Sequence, residues 1–135
     1  VRIEHPDKSD DALIKMKEHI KEILIELKID FRILNLCAGD LGFTSSITYD
    51  FEVFSKGQEK WLEISSVSNF KTYQSNRLNL KFKDKDGKNY TLHTLNGSSL
   101  ALPRVMAGLI ENNQSENGII IPDVLVPYTG FDIIN

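Results

Sequence analysis

The sequence has 135 residues, of which 41% are hydrophobic and 26% charged, a balance that suits one soluble globular domain and excludes an intrinsically disordered chain. A formal net charge of −3 gives no global electrostatic reason to bind nucleic acid, and no apolar run approaches the roughly 18 residues of a membrane span. The single cysteine, Cys37, sits in the apolar run FRILNLC, so an intramolecular disulfide is impossible; a buried, inert thiol in a reducing, cytosolic compartment is expected.

The amino-terminal stretch VRIEHPDKSD has neither the charge layout nor the apolar segment of a secretory signal. Ser9 and Asp10 are candidate caps for a helix whose apolar residues Leu13, Met16, Ile20, Ile23, Leu24 and Leu27 recur at helical spacing. After a turn at Lys28 to Asp30, FRILNLC is nearly continuous in apolar character and predicts a buried strand. ITYDFEVF alternates, with Thr48, Asp50 and Glu52 on one side and Tyr49, Phe51 and Val53 on the other. A turn at SKGQEK leads to WLEISSV, its predicted antiparallel partner.

Leu78, Leu80 and Phe82 alternate with polar residues before KDKDGKN turns the chain into YTLHTL, which predicts a second hairpin. Asp84 and Asp86 beside Gly87 do not make an EF-hand, because Phe82 occupies the place of the first ligand. A second helix is predicted from Leu100 to Asn113, with Leu102, Val105, Met106 and Leu109 facing the core and Pro103 near its start. IIIPDVLVPY predicts a short strand followed by a proline-marked tail. The fold class is α+β, an antiparallel β-sheet with flanking helices.

Two segments could carry chemistry. WLEISSVSN combines Glu63 with the hydroxyls of Ser65, Ser66 and Ser68, oxygen donors that suit magnesium and a nucleotide phosphate but also suit ordinary strand-end hydrogen bonding. Glu63 and Ser66 have opposite strand parity, so sharing one ion requires the strand to bend near Ser65. In HTLNGSSLALPR, Asn96 and Ser98 flank Gly97 ahead of a helix start, and Arg104 adds a planar, permanently charged group suited to phosphate. A capped helix with a surface arginine is the plainer reading of the same residues.

In order along the chain, CAGDLGFTSSITYDFEVF, EISSVSNF, HTLNGSSLALPR and IPDVLVPYTGF resemble successive blocks of the catalytic domain of bacterial seryl-tRNA synthetases, class II aminoacyl-tRNA synthetases. HTLNGSSLALPR is similar to that family's motif 3. The resemblance implies a partial class II catalytic fold covering residues 1–135, without the amino-terminal tRNA-binding arm, motif 1 and most of motif 2. It also implies that the parent activates serine with ATP and transfers it to tRNA as a cytoplasmic homodimer, while these residues alone are inactive.

By position, Glu63 and Ser66 match the family's magnesium and ATP contacts, and Ile64 and Ser65 belong to the same ATP-binding block. Ser98 matches a serine-binding residue, with Asn96 a neighbour shaping that pocket, and Arg104 matches the arginine that binds ATP phosphates; Glu63 and Arg104 are the implied catalytic pair. The chain departs from the family pattern at Val67, where cysteine is usual, at Gln74-Ser75-Asn76-Arg77, which loses one arginine of QARR, and at Ser99 and Pro103, which replace glycines. A truncated paralogue that binds a nucleotide, an aminoacyl carrier or a protein is the alternative implied by the missing upstream blocks.

Overall fold

The computed structural model describes residues Val1–Asn135. Strand β1 (Arg2–Glu4) and a 3-10 turn (Pro6–Lys8) precede helix α1 (Ser9–Glu26), which leads to strand β2 (Phe31–Asn35). Strands β3 (Ile47–Ser55) and β4 (Lys60–Asn69) form the long hairpin, and the short helix α2 (Tyr73–Leu78) follows. The second hairpin is β5 (Lys81–Lys83) with β6 (Asn89–Thr91); strand β7 (His93–Gly97) then enters helix α3 (Leu102–Asn112). The carboxy-terminal end adds β8 (Gln114–Ser115), β9 (Gly118–Ile120), α4 (Val126–Thr129) and β10 (Ile133–Ile134).

Five strands pair in the order β1-β7-β4-β3-β2, every neighbour antiparallel. Because β1 and β2 lie at opposite edges, α1 must carry the chain across the whole sheet. Its 18 residues span about 27 Å, enough to cross five strands spaced about 4.8 Å apart. The crossing is made on one face only, where Leu13, Ile20, Leu24 and Leu27 of the α1 segment join Phe51, Val53, Ile64, Val67 and Leu95 of the sheet in the core. The sheet therefore has a face closed by α1 and α3 and a second face that no helix of this core covers.

The two hairpins and both long helices agree with their sequence patterns, and four details differ. Cys37 is exposed rather than buried, because β2 ends at Asn35 and the thiol stands in the following turn, 3.5 Å from Asp40 Oδ2. Ser9 and Asp10 do not cap α1: Ser9 is the first helical residue, and its hydroxyl donates to the Pro6 carbonyl.

Helix α3 begins at Leu102, and Leu102 and Met106 are exposed rather than core-facing. Val105 and Gly108 face inward instead, and a Cβ at Gly108 would lie 3.2 Å from the Val53 methyl groups, so the missing side chain sets how closely α3 approaches β3. The tail folds further than a strand and a loop, into a small three-stranded sheet with α4. The Asp84 carboxylate accepts the Asp86 and Lys88 amides at 2.9 and 2.8 Å, which is turn chemistry.

Candidate active site

The site is organised by one irregularity in β4. Across the hairpin Glu63 lies opposite Glu52 and Ser65 opposite Phe51, so Ile64 is an extra residue, a β-bulge. Past the bulge Ser66 lies opposite Asp50. Directly opposed residues share a face, and Asp50 and Glu52 are two apart on β3. Glu63 and Ser66, which opposite parity would separate in a regular strand, are thereby delivered to the same uncovered face. That face continues through Ser68, whose hydroxyl is 2.7 Å from Thr48 Oγ1, to Asn96 of β7 opposite Ser68.

The bulge also anchors the segment that follows β7. Strand β4 pairs with β7 only over Val67–Asn69, so the carbonyls before Val67 need other donors. The Ala101 amide donates to Ile64 O at 2.6 Å, and Arg104 Nη1 donates to Glu63 O at 2.5 Å. Ser65 Oγ donates to the Ser98 carbonyl at 2.5 Å. Three consecutive residues of β4 thus hold the bend at Ser98, the start of α3 and the guanidinium of Arg104, its third residue. Gly97 is required for the same closeness: a Cβ there would stand 3.0 Å from the Ser66 carbonyl oxygen.

The residues singled out from the sequence divide into two groups. Glu63, Ser66 and Asn96 carry side chains on the uncovered face, while Ser98 and Arg104 are exposed at its border. Ile64 is fully buried in the core, and Ser65 is buried with its hydroxyl engaged by Ser98. These two shape the site through the backbone and offer no free side-chain donor.

Sequence reasoning missed Asp50 and Glu52, whose polar alternation in ITYDFEVF signalled only an outward face. Arg32 joins them: its Nε donates to Glu52 at 2.5 Å, and its guanidinium lies 4.4 Å from the Trp61 ring centroid.

Three carboxylates facing one another leave an imprint on protonation. Glu63 is raised from its ordinary value by partial burial and then by the charge of Asp50; Arg104 opposes this and Glu52 adds to it. Asp50 Oδ1 is buried with no hydrogen-bond partner. An orphaned carboxylate oxygen beside a carboxyl that resists ionisation and a hydroxyl at Ser66 is a hard-oxygen donor set lacking positive charge, and it fits a divalent cation such as magnesium.

A model of the tRNA synthetase class II core domain (G, H, P, S and T) matches residues 1–113. The chain belongs to that family. Within this class II core, similarity is high to the serine–tRNA ligase of Finegoldia magna, 47% identical over 100% of the chain and 32% of the relative. The serine–tRNA ligase of Akkermansia muciniphila is 48% identical over 99% of the chain and 32% of the relative. The chain spans about a third of the length of these curated relatives.

Seryl-tRNA synthetase from Pyrococcus horikoshii complexed with ATP superposes on 98% of this class II core with a TM-score of 0.91 and 37% identity, covering 31% of that chain. Cytoplasmic serine–tRNA ligase from Naegleria fowleri in complex with AMP gives 0.88 and 28% identity, over 98% of this chain and 32% of its own. The antiparallel sheet and its helices have the fold of the seryl-tRNA synthetase catalytic domain. No helix is long and apolar enough to cross a membrane.

Proposed function

We propose that these residues form the ATP- and serine-facing part of a serine–tRNA ligase, acting on ATP, serine and tRNA in a cytoplasmic homodimer. The observation that carries the reading is the bulge at Ile64, which sets Glu63 and Ser66 on one face and ties Arg104 to the same turn of backbone. On this reading a serine carboxylate oxygen attacks the α-phosphorus of ATP, the bond to pyrophosphate breaks, and the terminal ribose hydroxyl of tRNA then displaces AMP from the seryl carbonyl.

Arg104 presents its remaining N–H donors to phosphate oxygens, a match that its planar fork makes specific. Asn96 and Ser98 orient the amino acid by hydrogen bonding, and their fixed backbone keeps the reacting atoms close. Glu63, Ser66 and Asp50 would hold magnesium, which when bound neutralises phosphate charge. The residues alone are expected to catalyse near background, since the matched relatives carry roughly two thirds more of their length elsewhere and positioned groups act as a unit.

The reading is tested by calorimetric titration of the chain with ATP and magnesium, compared with Arg104→Ala. Weakening of ATP affinity by about tenfold or more, the scale of a charge-assisted phosphate contact, is the expected result. Equal affinity of the two proteins would remove Arg104 from the nucleotide site.

A further inference from the structure

Beyond the amino-terminal end of β3 lies an open recess of about 340 Å³ between the Thr44–Ser46 turn and the Phe70–Arg77 segment. None of its lining residues is a carboxylate, although acidic residues outnumber basic ones in the chain as a whole. Lys71 and Arg77 supply positive charge, and Ser45, Ser46, Thr72 and Asn76 supply short polar side chains. Lys71 is paired with Asp10, whereas Arg77 has no carboxylate partner and donates only to the Tyr73 carbonyl at 2.9 Å.

The aromatic groups are placed to match. The Arg77 guanidinium lies 3.6 Å from the centroid of the Tyr73 ring, and Phe43 meets Tyr73 edge-on at 6.0 Å while remaining 88% exposed. An exposed ring held next to an unpaired guanidinium offers a base a stacking surface and its phosphate a cation, the combination that holds single strands.

The recess is continuous with the site. Ser45 Oγ accepts from Thr48 Oγ1 at 3.2 Å, Thr48 meets Ser68 at 2.7 Å, and Ser68 lies opposite Asn96.

We propose that this recess receives the single-stranded end of an RNA, with phosphate on Arg77 and a base against Phe43, so that the terminal nucleotide runs along Thr48 and Ser68 toward Asn96 and Ser98. The inference rests on the serine–tRNA ligase reading and names where that site takes its acceptor strand. Lys71, already neutralised by Asp10, contributes orientation more than charge.

The test is the fluorescence anisotropy of a short labelled single-stranded RNA mixed with the 135-residue chain, with Arg77→Gln and with Phe43→Ala. Each exposed substitution is expected to weaken binding roughly tenfold, the size of one stacking or phosphate contact. Arg77→Gln should also lower the slope of log affinity against log salt by about 0.7, the value for one phosphate on a single strand.

Wild-type affinity in both variants, equal affinity for a duplex of the same length, or displacement of the strand by inorganic pyrophosphate at equal concentration would each overturn the proposal. ATP titration separates it from the reading beneath it. Both variants should bind ATP with magnesium as the wild type does, and failure of the wild type to bind ATP would sink the ligase reading whatever the RNA result.

Discussion

Glu63 is a residue whose position works against stability. Its folded pKa lies above the ordinary carboxylate value of 4.5, so its contribution is fully present below that value and is lost as pH rises through the raised one. At neutral pH the ionised group therefore strains the fold, through Asp50 and Glu52, in the manner of sites that trade stability for function. Glu63→Gln is expected to raise the thermal midpoint at about pH 7, with the gain shrinking toward about pH 4 as the wild-type carboxyl protonates. Added magnesium should stabilise the wild type and leave the variant unmoved. Calorimetric scans at the two pH values check both; a variant less stable than wild type at neutral pH contradicts the charge balance. Glu63 itself was legible from its neighbours in EISS, whereas Asp50 was not, because a polar residue on an alternating strand looks the same whether its face meets water or a ligand.

At the scale of elements, the hairpin β3–β4 and the start of α3 behave as one part. The bulge at Ile64 exchanges ladder hydrogen bonds for those from Ala101 and Arg104, so moving either side of the junction moves the other. Gly97→Ala tests this coupling, since the new Cβ would stand 3.0 Å from the Ser66 carbonyl oxygen and 3.0 Å from Val67 Cγ2. The first neighbour is backbone within a paired strand and cannot turn aside. We expect a loss of about 1–3 kcal/mol in denaturant unfolding, the usual cost of overpacking, together with weaker ATP binding because Ser66 is displaced. Full stability and affinity in this variant would show that β7 slides freely past β4. The parity conflict between Glu63 and Ser66 made a bend legible in advance. The rotation of α3 was not, because its inward face is defined by Gly108, a residue with no apolar side chain to mark it.

Across the whole molecule, the end of the sheet is tied to α1 by a buried polar network. His93 Nδ1 is 2.7 Å from Ser9 Oγ, and Asn69 donates to Ser9 at 3.2 Å and to Asp10 at 3.1 Å. Burial depresses the His93 pKa below its ordinary 6.5, helped by Lys71 and His5 and opposed by Asp10 and Asp7. The unfolded chain then binds more protons than the folded one between the depressed value and 6.5, so stability rises with pH through that window and is lost below it. The thermal midpoint should fall as pH drops below about 6.5, and His93→Gln should flatten that limb. An unchanged slope in the variant would assign the pH dependence to other groups.

The sequence alone determined the antiparallel hairpins, the two long helices and the identity of the chemistry-bearing side chains, since periodicity and residue type are local properties of the chain. Tertiary structure alone decided which of those side chains meet. A single extra residue at Ile64 inverts strand parity, and Asp50, Glu63 and Arg104 share a face only because β4 pairs with β3 on one side and receives α3 on the other.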